Sequence, residues 1–193
     1  MKDMLFQYLK SYTNAPDELL MEVIEQLPVK SFKKGTLLLK QGEVSSKCYF
    51  VLQGLIRQFS IDTDGNENTS NFYTENQVAS VYNPQRELEA SRYSLICLED
   101  SVLLEGDLND ATQAYAKYPF LETMVRKMME ELMANTKDEY ADLLASNPEE
   151  RYLALLEKRP GLAERVPQNQ LAGYLGIQPE SLSRIKRRLN SLK

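Results

Sequence analysis

Seven polar or charged residues crowd the nine positions from Glu180 to Arg188: Glu180, Ser181, Ser183, Arg184, Lys186, Arg187 and Arg188. Their types suit a nucleic-acid duplex. A carboxylate accepts from cytosine N4, a guanidinium spans guanine O6 and N7, and a hydroxyl bonds either base or phosphate. Glu180, Ser183 and Arg184, near the start of the run, are the candidate base readers. Ser181, Lys186, Arg187 and Arg188, with Gln168 and Gln170 from the segment before, are the candidate phosphate contacts. A basic amphipathic helix with merely solvated charges is the simpler alternative, and the spacing upstream argues against it.

That spacing is the segment VPQNQLAGYLGIQPESLSRIKRRL, residues 166–189. Pro167 starts a short helix, Gly176 stops it, Ile177 turns back toward the core, and Gln178-Pro179 starts a second helix. Ala172 is small where the helices cross, and Leu171, Leu175, Leu182 and Ile185 face inward. Two helices joined by a tight turn containing glycine make a helix-turn-helix unit. Charge is distributed to match. Residues 151–193 carry nine Lys and Arg against three Asp and Glu, whereas residues 1–150 carry 14 against 25. An acidic body with one basic end is what a single phosphate-contacting module produces.

The rest of the chain is poor in reactive groups. It has no histidine and two cysteines, Cys48 and Cys97, each inside an apolar run. Ser-His-Asp and Cys-His catalysis and His-ligated haem are thereby excluded, and an all-Cys iron–sulfur cluster lacks its ligands. No phosphate loop of the GxGxxG or GxxxxGK[ST] kind occurs, and the carboxylates stand in no acid–base constellation. Catalytic and metal-ligating residues are therefore expected to be none. No stretch approaches the roughly 20 apolar residues of a membrane helix, and the first residues do not read as a secretory leader. A cytoplasmic protein that does not engage a membrane is expected.

The positioning elements fall into three parts. Apolar residues Leu19, Leu20, Val23, Ile24 and Leu27 follow a helical period that Asp17 can cap and Pro28 ends. From residue 30 to 106 the rhythm is that of strands, predicted at 36–40, 48–52, 55–61, 68–73, 91–98 and 102–104. Asp64-Gly65 marks a hairpin, and many short strands between close turns suggest a roll or barrel. From Pro119 a long helix carries a stripe of Leu121, Val125, Met128 and Leu132, continued by Tyr140 and Leu143. At ~40 Å it is longer than a small barrel needs for its own cover, so the stripe is assigned to a helix–helix dimer seam. Ser146-Asn147-Pro148 interrupts it, with Asn147 as cap, and a hinge is placed there.

An acidic β-domain, a long helix and a C-terminal helix-turn-helix, in that order, resemble the Crp/Fnr family of bacterial transcription regulators. The stretch KKGTLLLKQGEVSSKCYFVLQGLIRQFSIDTDGNE is similar to that family's cyclic-nucleotide-binding fold through Gly35, Gly42-Glu43, Tyr49, Gly54 followed by Arg57, and Asp64-Gly65. PESLSRI resembles its recognition helix, with Glu180, Ser183 and Arg184 on the base-contacting positions. The resemblance implies an α+β protein with a cyclic-nucleotide-binding-like β-roll effector domain at 1–118 and a dimerisation helix and hinge at 119–146. A helix-turn-helix DNA-binding domain would occupy 147–193. It further implies a homodimer on two-fold symmetric double-stranded DNA, with RNA polymerase as a possible further partner.

Two departures shape the functional expectation. The family's ribose-holding Gly-Glu pair is replaced by Asn76-Gln77-Val78-Ala79-Ser80. Its phosphate-holding Arg-Ser/Thr region reads Arg86-Glu87-Leu88-Glu89-Ala90-Ser91-Arg92, where the carboxylates would repel a cyclic phosphate. Cyclic AMP is accordingly not expected, no cofactor is assigned, and the effector is left unidentified; Ala79, Ser80, Arg86, Ser91 and Arg92 are the candidate pocket residues. The chain also stops at Lys193, so a full β-hairpin wing after the recognition helix is not expected. The alternative function is a ligand-binding or protein-interaction module that keeps the fold without operator recognition.

Overall fold

The structure, a computed structural model, describes residues 2–80 and 90–191. Helices α1 (Lys2–Lys10) and α2 (Asp17–Gln26) precede eight strands: β1 Val29–Phe32, β2 Leu37–Leu39, β3 Lys47–Gln53, β4 Ile56–Ile61, β5 Glu67–Tyr73, β6 Val78–Ser80, β7 Ser94–Cys97 and β8 Ser101–Asp107. They form two four-stranded sheets, ordered β1-β8-β3-β6 and β2-β7-β4-β5. A 3-10 turn (Leu108–Asp110) leads to α3 (Ala111–Lys117) and the long α4 (Phe120–Ala145). The chain ends in α5 (Pro148–Lys158), α6 (Leu162–Arg165), α7 (Gln168–Tyr174) and α8 (Pro179–Asn190). Packing divides the chain into two units, Met1–Gln58 with Phe72–Met133, and Phe59–Asn71 with Ala134–Lys193.

Strand β3 shows how the first unit is built. Successive side chains of a strand point to opposite faces, and β3 buries both. Tyr49 and Val51 join Leu39, Ile56, Ala79, Leu95, Cys97 and Leu103 in a core supplied by both sheets. Phe50 and Leu52 join Leu104 in a second core, closed by Leu5, Leu9, Leu20, Val23 and Ile24 of α1 and α2 and by Leu121 and Met124 of α4. Register keeps the two sets apart: Tyr49 pairs with Ala79 on β6, while Phe50 pairs with Leu104 on β8.

Several predicted elements are corrected. β1 and β6 are strands that periodicity does not show; β1 is exposed at three of four positions and β6 has only three residues. The run predicted at 91–98 shortens to Ser94–Cys97, because Ser91 closes a turn instead. Its hydroxyl donates to the Tyr93 carbonyl at 2.7 Å and accepts from the Tyr93 N–H at 3.0 Å. Asp17 does not cap α2. Pro16 takes the cap position, and Asp17 sits in the first turn, where its charge suits the helix dipole and pairs with Lys10 at 2.5 Å.

Gly54 links β3 to β4 at φ +110°, and an added Cβ there would lie 2.3 Å from Ser101 Oγ and 2.8 Å from Ser101 Cα. Its N–H donates to Glu75 Oε1 at 2.9 Å. Both the dihedral and the clash oppose any side chain. Gly54→Ala is expected to cost about 2–5 kcal/mol, seen as a lower midpoint in urea at unchanged slope.

Asp107, at the end of β8, has its carboxyl held at about 2. The Ser46 hydroxyl contributes most, followed by Lys47 and the Asn109 N–H, with Lys47 Nζ at 3.0 Å. The folded state therefore favours the charged carboxylate. The resulting stability is complete above the ordinary carboxylate range and is lost as pH falls toward about 2. Asp107→Asn should lower the melting temperature at neutral pH and flatten its acid decline. An acid limb identical to the wild type would refute this assignment.

Candidate nucleic-acid interface

The C-terminal helices begin with α5, whose start is satisfied by its own residues. Asn147 Oδ1 accepts from the Glu149 and Glu150 N–H groups at 3.0 and 3.1 Å, and Glu150 Oε2 accepts from the Asn147 N–H at 2.8 Å. This reciprocal cap, with Pro148 in the first turn, fixes where α5 starts. Tyr152 and Leu155 on α5, Leu162 on α6, Leu171 and Ala172 on α7, and Leu182 and Ile185 on α8 are all buried.

The turn is set by Gly176 at φ +67°. Its N–H reaches the Gly173 carbonyl, and the Ile177 N–H reaches that of Ala172, both at 3.0 Å. Arg151 of α5 supplies what the turn leaves open: its Nη1 donates to the Leu175 carbonyl at 2.7 Å. Sequence reasoning missed Arg151, since a cation bonding a carbonyl 24 residues away carries no local signature.

On α8, Glu180, Arg184 and Arg187 are exposed, and their spacing of four and three puts them on one face. Arg184 Nη2 donates to Ser181 Oγ at 3.2 Å, which brings these two candidate residues together. The other candidates are more committed. Ser183 accepts from Gln168 Nε2 at 2.7 Å, so this pair joins α7 to α8. Lys186 lies over the Tyr152 ring, 5.8 Å from its centroid, and Arg188 is ion-paired with Glu149. Gln170 Oε1 is shielded from solvent without a hydrogen-bond partner. Gln170 therefore turns its amide oxygen inward, and Arg188 has its charge offset within the fold.

Residues 29–118 match the family model of the cyclic nucleotide-binding domain. Over 167 residues the chain is 22% identical to the fumarate and nitrate reduction regulatory protein of Yersinia pestis, a match covering 81% of this chain and 66% of that relative. The chain thus spans slightly less than two thirds of that relative's length. Among solved structures, FixK2 from Bradyrhizobium japonicum superposes with a TM-score of 0.69 at 18% identity, over 86% of this chain and 85% of that one. The c-di-GMP responsive global regulator CLP of Xanthomonas campestris gives 0.70 at 14% identity, over 91% and 92%. The chain shares the fold of these two structures.

The long helix α4 is used unevenly. Leu121 is buried in the α1–α2 core, against which Val125 and Met128 also pack. From Met129 onward the apolar residues are open: Leu132 is 49% exposed, Met133 69%, Tyr140 62% and Leu144 70%. The expected stripe therefore divides, its first turns serving the chain's own core.

The candidate pocket residues are only partly described. Arg86 lies outside the described residues. Ala79 is fully buried in the core between the sheets, and Ser80 pairs with Cys48 in the β3–β6 ladder. The Ser91 N–H donates to the Glu43 carbonyl at 2.7 Å and its carbonyl accepts from the Gly42 N–H at 2.8 Å. Ser91 thus ties down the Gly42-Glu43 turn, while Arg92 is exposed. Among the described residues, no His, Cys, Asp or Glu side chains group to hold a metal ion, and no helix is long and apolar enough to cross a membrane.

Proposed function

We propose that the chain is a homodimeric, sequence-specific DNA-binding transcription regulator of the cytoplasm. In this reading residues 1–118 are an effector domain, 119–146 a dimerisation helix and hinge, and 147–193 the DNA-binding domain. The observation that carries it is the exposed Glu180–Arg184–Arg187 face on α8, held out by a fully formed helix-turn-helix. An α-helix fits the major groove, and the residues near its start meet base edges. Glu180 and Arg184 read bases. Ser183 does so from its bond to Gln168, while Ser181, Lys186 and Arg187 face the backbone.

The two recognition helices of a symmetric dimer would meet half-sites about one helical turn apart. The exposed part of the α4 stripe, centred on Leu132, is the proposed seam. RNA polymerase is the proposed further partner, and cyclic AMP is not the proposed effector. The test is selection from a random duplex library at two salt concentrations. A recovered palindrome with salt-sensitive affinity supports the reading, because phosphate contacts release counterions. Absence of any enriched site, with and without added cell extract, would favour a module that has kept the fold but lost operator recognition. The internal pairing of Arg188 with Glu149 is the observation on that side.

A further inference from the structure

Arg188 ends the basic run of α8, four residues after Arg184 and so beside it on the helix surface. Within its own unit it meets a carboxylate, for Glu149 in the first turn of α5 is its ion-pair partner. A second contact joins the same two helices. Lys186 Nζ lies 5.8 Å from the centroid of the Tyr152 ring, and Tyr152 follows Glu149 by three residues on α5. The start of α5 is thus packed against the basic half of α8, with a carboxylate beside the recognition face.

This pair is not a buried structural bridge. The Arg188 side chain is 61% exposed, and that of Glu149 is partly so. An exposed ion pair adds little to stability, so Arg188 can leave it at little cost to the fold. What the carboxylate offers is the chemistry of a phosphate, an anionic oxygen that accepts from the guanidinium fork. Its place in the first turn of a helix, where the dipole favours negative charge, suits it to that role.

We propose that Glu149 is an internal stand-in for a DNA phosphate, a contact that occupies Arg188 and restrains binding to the nucleic-acid backbone. With the pair closed, α8 presents Arg184 and Arg187 to the duplex while the charge of Arg188 is spent within the chain. A phosphate must displace the carboxylate before Arg188 adds to affinity, and Glu149 then repels that phosphate at close range. The restraint acts on the sequence-independent part of binding, because backbone contacts carry no base information. It rests on the reading of α8 as a duplex-binding helix; it does not require operator recognition.

The test titrates the full chain with a fluorescent random-sequence duplex across a salt series, with thermal melts checking that each variant folds. Glu149→Gln keeps the size of the side chain and removes its charge. It should tighten binding about 3- to 5-fold at low salt and steepen the log–log salt slope by about one. In the Arg188→Ala background the same substitution should change affinity by less than ~2-fold, since no cation is released. Glu157→Gln, at an exposed position further along α5, controls for net charge and should also stay within ~2-fold. A gain below ~2-fold, or one of equal size with and without Arg188, would overturn the proposal, as would failure of Glu149→Gln to bind duplex at any salt. A chain that selects an operator but is unmoved by Glu149→Gln keeps the regulator reading and removes this one. A chain that selects no operator yet tightens in Glu149→Gln does the reverse.

Discussion

Arg184→Ala is expected to abolish sequence preference while leaving the fold intact. The side chain is exposed and its hydrogen bond is to Ser181 Oγ on the same helix, so truncation removes no core contact. A bidentate arginine–guanine contact discriminates by about 1–3 kcal/mol, roughly 5- to 150-fold at each half-site. A symmetric dimer loses it twice, so preference for the selected palindrome over random duplex should fall by about 30- to 20,000-fold. Lys186→Ala provides the contrast. It should lower affinity for all sequences alike and make the salt dependence shallower by about one ion. Competition titrations at two salt concentrations separate these outcomes. An equal loss on cognate and random DNA for Arg184→Ala would remove its base-reading role.

The second large effect is expected from Leu132→Glu. Leu132 is half exposed, at 49%, in the part of α4 that no buried residue of its own core uses. A carboxylate there cannot be desolvated against a second apolar helix without a severe penalty. The variant should sediment as a folded monomer, and operator affinity should drop by about 10²- to 10⁴-fold as the second half-site becomes a separate encounter. Position matters for this test. Leu121 belongs to the same predicted stripe but is only 8% exposed and packs with α1 and α2. Its truncation would cost about 2–5 kcal/mol of the chain's own stability and would say nothing clean about assembly. A Leu132→Glu chain that remains dimeric would place the seam elsewhere.

How much of this was legible in sequence depends on how local each determinant is. The helix-turn-helix was readable because Pro167, Gly176 and Pro179 act through their own backbone angles, and Leu171, Leu182 and Ile185 mark the inner face by spacing alone. The cap at Asn147 was readable for the same reason. Strands β1 and β6 were not, since β1 is mostly solvent-facing and β6 is too short to show a period. The division of the α4 stripe also escaped, because Leu121 and Leu132 are identical letters whose neighbours are set by where the β-domain ends. Charges were the least legible. Nothing in the run Lys186-Arg187-Arg188 says that one faces an aromatic ring, one is exposed and one meets Glu149.

The junction between α4 and α5 has a mechanical consequence. Ser146 completes its bonding backward, with its N–H at 3.0 Å and its hydroxyl at 2.5 Å from the Asp142 carbonyl. Asn147 completes its bonding forward, to Glu149 and Glu150. None of these bonds crosses from one side of the 146–147 link to the other. The link can therefore swivel without breaking these hydrogen bonds, and the Lys158–Asp142 and Arg159–Glu139 pairs act as guy-ropes across it. Tethers made of surface charge slacken with ionic strength. The same salt that loosens a duplex from the recognition helix would thus also free the angle at which that helix is presented.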